Sequence, residues 1–189
     1  MKFTSALITL SVSAVLFSGV VRAAITGTDS VQMTFKTTVT TGTCKAIVVN
    51  GDGKNVSTIG YGETYKSDLN KKAMPLSIVF SNCSGVTIAE VEAKAGTGGT
   101  CSGDNLDGDS YAAGLNTAFE IWGGDADTGV KLSCKTPPAA QEVTITNGAG
   151  TYPMTSRIVV ANGKSLSDVT AGDVTAPVTF VVTFGNNAA

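Results

Sequence analysis

The chain contains no histidine. That removes the side chain that most often acts as general base near neutral pH, and the commonest metal ligand. Charge is scarce too. Only 15% of residues are charged, the formal net charge is −2, and no basic cluster runs through the chain, which argues against a nucleic-acid partner. Aromatic residues make up 6%, with one tryptophan. The four cysteines include no CxxC pair, so with histidine absent a zinc site lacks its usual ligands. Beyond the first 23 residues no apolar run is long enough to span a membrane.

What is present favours strands and turns. Glycine is frequent (22 residues), threonine is common, and 42% hydrophobic content in 189 residues is enough for a real core in one domain, two at most. Residues 1–23 read as a secretory signal peptide. Lys2 gives a positive start, Ala6 to Val21 is apolar, and Val21-Arg22-Ala23 sits at a cleavage offset. The mature chain is then expected to begin at Ala24 and to carry two disulfides. Three pairings are open. Cys44–Cys83 is favoured because it brackets a strand-turn-strand unit, and Cys101–Cys134 because it brackets a Gly/Asp-rich excursion. Chain entropy makes each worth about 4 kcal/mol.

Period-two patterns recur along the chain. In Ala24 to Val39, the residues Val31, Met33, Phe35 and Val39 share one parity, and Gln32, Thr34, Lys36 and Thr38 share the other. This predicts a strand with one buried face. It is either the ordinary first strand of a β-domain or a detachable strand given to another molecule. Gly42 to Val49 reads as a strand running into the turn Asn50-Gly51-Asp52-Gly53. Val56 to Tyr65 is a weaker extended segment, and Asp68 to Ala73 has room for one helical turn. Leu76, Ile78 and Phe80 alternate in a strand ending at Cys83. Val86 to Ala93 is another, whose apolar parity changes between Ile88 and Val91 as a bulge would make it. Ala95 to Asn116 reads as loop. Ala118 to Trp122 and Val130 to Cys134 form a strand pair, and Val143 to Thr146, Tyr152 to Val160 and Val174 to Phe184 complete an all-β sandwich.

In the last of these, Val174, Ala176, Val178, Phe180, Val182 and Phe184 all fall on one face. Only Gly185-Asn186-Asn187-Ala188-Ala189 follows. A core strand with no successor is expected to leave a sheet edge and a groove uncovered, while an alternating strand stands at the other end of the chain.

These residues resemble the pilin subunits of chaperone–usher fimbriae, the type 1 and P pilus family of Gram-negative bacteria. The resemblance rests on the arm before Cys44, on GTC and MPLSIVFSNC ending at Cys83, and on TYPMTSRIVV and VTAGDVTAPVTFVVTF near the C-terminus. Gly172 precedes Phe184 by the family's twelve residues. The sequence departs from the family in carrying Thr37 where the arm usually has glycine, in the five residues after Phe184, and in a second cysteine pair. The resemblance implies an incomplete immunoglobulin-like sandwich lacking its last strand. Residues 24–40 would be a donor-strand extension offering Val31, Met33, Phe35, Thr37 and Val39, and residues 41–189 the pilin domain with Val174 to Phe184 along its acceptor groove. It further implies a periplasmic chaperone, an outer-membrane usher and neighbouring subunits as partners, a position on the cell surface, a role in adhesion, no enzymatic activity and no cofactor. A minor or tip subunit that recognises a host glycan or protein is the alternative, motivated by the loop between Cys101 and Cys134.

Other chemistry-bearing residues have plainer readings. Glu90 and Glu92 share a strand face with no nucleophile beside them, as on a solvated sheet. Asp104, Asp107 and Asp109 lack the spacing and closing glutamate of a calcium loop. Trp122 beside Ile121 reads as sheet packing, and Lys71-Lys72 as a surface turn.

Overall fold

The structure, a computed structural model, describes Thr37 and residues 42–185. The signal-peptide reading and the donor row Val31, Met33, Phe35 and Val39 lie outside the described residues. Thr37 is exposed and in no regular element.

Nine strands are described: β1 (Thr43–Asn50), β2 (Ala73–Ser84), β3 (Ile88–Ala95), β4 (Tyr111–Gly114), β5 (Thr117–Gly123), β6 (Val130–Lys131), β7 (Gln141–Thr144), β8 (Gly150–Val160) and β9 (Val178–Gly185). One 3-10 turn (Lys66–Asp68) precedes β2. The larger sheet runs β1-β2-β8-β5-β4, with β6 also on β5; the smaller runs β7-β3-β9. All pairings are antiparallel. With β1, β2, β3, β5, β8 and β9 taken as the A, B, C, D, E and F strands of an immunoglobulin sandwich, the sheets are ABED and CF, and among the described residues no strand takes the G position beside β9.

The period-two segments supply the core. On β2, Leu76, Ile78 and Phe80 are buried while Ser77 and Val79 are less so. They meet Ala89, Val91 and Ala93 of β3 and Tyr152 and Met154 of β8. Phe80 and Phe184 cross between the sheets edge to face, 6.3 Å apart. The disulfides join Cys44 to Cys83 and Cys101 to Cys134. The turn Asn147-Gly148 between β7 and β8 has φ of 53° and 75°, the left-handed pair that a two-residue hairpin needs.

Three expectations are corrected. β3 carries no bulge, since its register against both neighbours is continuous. Ala89 takes the inward place and Ile88 is only half-buried, so the parity is unbroken once alanine is counted as core. The stretch from Ala95 to Asn116 is not all loop. It contains β4, where Tyr111 is 1% exposed and donates its hydroxyl to the Leu132 carbonyl at 2.9 Å. The last strand begins at Val178, not Val174. Pro177 has no N–H for the ladder, and Thr175 instead donates to the Ala113 carbonyl across the sandwich at 3.1 Å.

The sandwich has two ends. Thr43, Ser84, Ile88 and Gly185 lie at the first, as their pairings require. At the second lie the β3 and β8 termini Ala95 and Val160, the starts of β2, β5 and β9, and the loops that join them.

Candidate functional site

The site follows from an imbalance across β9. Its partner β3 buries Ala89, Val91 and Ala93 almost completely. On β9 the matching inward residues Val178, Phe180, Val182 and Phe184 are only partly buried, although they pack on the same core. Ala176 does likewise just ahead of the strand, while Val174 joins a separate cluster with Leu69, Ile158 and Val169. Among the described residues, β9 pairs through one edge only. Among the described residues no strand covers its other edge, which is a template for a further strand.

A groove of about 490 Å³ opens along this side. Leu76, Phe119 and Ile121 form its apolar floor, and residues 174–178 with Phe180 form one wall. The other wall is the segment from Val56 to Tyr61. That segment is held at its two ends. Val56 donates to the Val48 carbonyl at 3.0 Å, and the Tyr61 hydroxyl meets Ser156 Oγ at 2.7 Å. Burial pushes the Tyr61 phenol up to about 12 despite that bond, so it stays neutral at every physiological pH. Lys72 Nζ secures the exit, donating to the carbonyls of Tyr61 (2.5 Å) and Glu63 (3.0 Å) and to Thr64 Oγ1 (3.1 Å). Lys72 is therefore a structural clamp and not a solvated turn residue. Between the anchors, Ser57, Thr58, Ile59 and Gly60 make no hydrogen bond among the described residues. In the sequence this wall shows only as a weak extended segment. Val56, Ile59 and Tyr61 in a glycine-rich run were its one signal.

Gly172 lies at φ 152°, and a Cβ there would come within 2.6 Å of Leu115 Cδ1. Glycine is thus required just before the chain turns into the groove wall.

The remaining candidates resolve into structure. Glu90 and Glu92 are exposed on β3. Asp104 pairs with Lys164 at 2.8 Å, Asp107 accepts from Asn162, and Asp109 accepts from Ser133 at 2.6 Å and from Thr136. The Ser133 bond holds the Asp109 carboxyl below its usual range. Trp122 packs on the outer face of the larger sheet beside a charge network. Glu120 accepts from Lys131 (2.7 Å), Arg157 (2.7 and 3.1 Å) and the Trp122 indole (3.2 Å). Asp127 accepts from Arg157 at 2.6 and 2.8 Å. No nucleophile joins this cluster.

No family model matches the chain. YadL of Escherichia coli K12, described as an uncharacterized fimbrial-like protein, is 36% identical over 172 residues, spanning 83% of this chain and 85% of its own. The crystal structure of the P pilus rod subunit PapA superposes with a TM-score of 0.53 at 17% identity, covering 73% of this chain and 99% of that one. A chaperone–usher pilus structure gives 0.50 at 21%, covering 84% and 98%. At those identities the two structures speak for the fold, and the YadL match carries the kinship. The chain belongs to the fimbrial-like proteins, with the fold of chaperone–usher pilus subunits.

Proposed function

We propose that the protein is a structural subunit of a surface fimbria that polymerises by strand donation, and that residues 24–40 of one copy complete the sandwich of the next. The supporting observation is the half-buried inner face of β9 beside an open apolar groove. Strand addition of this kind draws general affinity from main-chain hydrogen bonds and specificity from alternate side chains. Pairing antiparallel to β9, as immunoglobulin sheets do, sets Val31 toward Gly185 and Val39 toward Val178. Val31, Met33, Phe35 and Val39 each gain about 1.5–3 kcal/mol on burial, about 6–12 kcal/mol for the row before ordering costs. The contact is head-to-tail and does not close, so it makes a filament.

An open edge and apolar groove need cover before assembly. That is the part a periplasmic chaperone plays by lending a strand, with an outer-membrane usher as the place of exchange. The adhesive contribution is that of the filament. A sugar-binding tip role is the weaker reading, because Asp104, Asp107 and Asp109 of the loop between Cys101 and Cys134 are engaged within the fold.

The test is a thermal melt of chaperone-released subunit with a synthetic peptide of residues 24–40. A large upward shift, abolished by Phe35→Asp in the peptide, is expected. A subunit already stable alone and indifferent to the peptide would refute the proposal.

A further inference from the structure

The exposed large hydrophobic residues are unevenly placed. Five are found among the described residues: Tyr65 (71% exposed), Leu106 (50%), Leu166 (47%), Val130 (42%) and Leu115 (37%). Val130 pairs with Gly123, at the end of β5 away from Thr117. The other four stand on loops at the second end. The loops that carry Leu106, Leu115 and Leu166 are interlocked. Lys164 pairs with Asp104, Asn116 donates to the Asp168 carbonyl at 2.8 Å, Thr170 N–H reaches the Leu115 carbonyl, and Leu115 lies against Gly172. Leu106 and Leu115 sit at left-handed φ of 55° and 52°, a backbone that leucine avoids, and there they project from turns. Apolar side chains gathered on one end of a molecule mark an interaction surface.

We propose that this second end is the face each subunit sets against the body of the subunit whose arm it holds, so that the occupant is another copy of the same chain. The inference rests on the donor-strand reading above and adds a second contact to it. The reason is length. An arm antiparallel to β9 leaves the groove at its Val178 end, with Val39 there. In the donor's body, β1 begins at Thr43, at the first end of that sandwich. Four residues span at most about 14 Å. The first end of the donor is thereby drawn onto the second end of the acceptor, where the loops carrying Tyr65, Leu106, Leu115 and Leu166 project. Continuity with the groove, a short tether and four exposed apolar side chains converge on one surface.

Hydroxyl-radical footprinting separates the two contacts. One sample is the full chain with its groove filled by the 24–40 peptide, and the other is filaments of the full chain. Groove occupancy is the same in both, and only the filament brings in a neighbouring body. A severalfold fall in labelling of Tyr65, Leu106 and Leu166 in the filament is expected. In a Leu106→Asp, Leu166→Asp variant, Tyr65 labelling should rise again in the filament while the peptide still lifts the melt. If the aspartates prevent folding, the milder Leu106→Ser, Leu166→Ser pair replaces them. Equal labelling in peptide-filled and filamentous protein overturns the proposal, as does protection confined to bundled filaments, which would assign the surface to lateral contacts. Failure of the peptide to bind wild-type protein would remove the donor-strand reading itself, and this proposal with it.

Discussion

Replacing Arg157 by methionine tests the charge network of the outer sheet face. Glu120 and Arg157 side chains are 12% and 13% exposed, so the pair is largely withdrawn from water, while Asp127 at 66% exposure adds little. Breaking a fully buried pair by removing one partner costs about 3–5 kcal/mol, because a charge is left uncompensated. Here Lys131 still reaches Glu120 at 2.7 Å and is itself 30% exposed, so about half that cost remains, about 2 kcal/mol. The loss should depend on pH in one direction. Burial alone raises the Glu120 pKa, but hydrogen bonds from Lys131 and Arg157 outweigh it and hold the carboxyl below its ordinary value. A carboxyl depressed in the folded state contributes stability above its unfolded pKa, and that contribution disappears as pH falls through the folded pKa. Urea unfolding of the peptide-completed protein at pH 7 and again in acid, below the depressed folded pKa of Glu120, reads both effects. The wild-type advantage is expected at pH 7 and should shrink in acid, where Glu120 is protonated in both proteins. Equal stability at pH 7, or a gap that persists unchanged in acid, would mean that the Arg157–Glu120 pair does not stabilise this face.

Further outcomes follow from other sites. Replacing Cys101 and Cys134 together by serine opens a bridge of sequence separation 33 and should lower stability by about 4 kcal/mol, seen in a thermal melt against wild type. The Tyr152 hydroxyl is buried without a hydrogen-bond partner among the described residues, so Tyr152→Phe should raise stability by about 1 kcal/mol in urea unfolding. Gly172→Ala should cost about 1–3 kcal/mol, since φ of 152° excludes a side chain and Leu115 occupies the space; a neutral result in the same assay would contradict the backbone assignment.

The fold was legible where side chains alternate and are large. Leu76, Ile78 and Phe80 announce β2, and the run ending at Phe184 announces β9, because a single parity of bulky residues leaves one choice of buried face. It was illegible where small residues carry the core or where the ladder is absent. Ala89 and Ala93 are inward, yet alanine does not distinguish itself from the polar face in a pattern of sizes. Tyr111 is the most buried tyrosine, but five glycines from Gly96 to Gly108 made its surroundings read as loop. The groove wall from Val56 to Tyr61 makes no ladder, so no periodicity marks it, and Lys72 clamps it through carbonyl oxygens that no sequence motif reports. The apolar end of the sandwich depends on loops far apart in sequence being interlocked, which only the fold supplies.

The same geometry explains why such a chain would build a filament and not close on itself. Thr43 stands at the first end of the sandwich, and the four residues back to Val39 can reach at most about 14 Å from it. An arm laid beside its own β9 from that anchor would have Val39 near Gly185 and Val31 near Val178, and so would run parallel to β9. In the proposed assembly the neighbour's arm, anchored at the other end of the groove, would run antiparallel. Parallel pairing is the less stable of the two and departs from the antiparallel sheets of this sandwich. Direction, set by where a short tether begins, thus favours the intermolecular partner over an identical intramolecular one. Moving the tether should reverse the outcome. A second copy of residues 24–40 attached after Ala189 through a flexible linker can turn back and run antiparallel to β9. That variant is expected to be monomeric by light scattering and to melt as high as the peptide-completed subunit. If it still forms filaments, or melts like the uncompleted subunit, strand direction is not what governs the choice between closure and polymer.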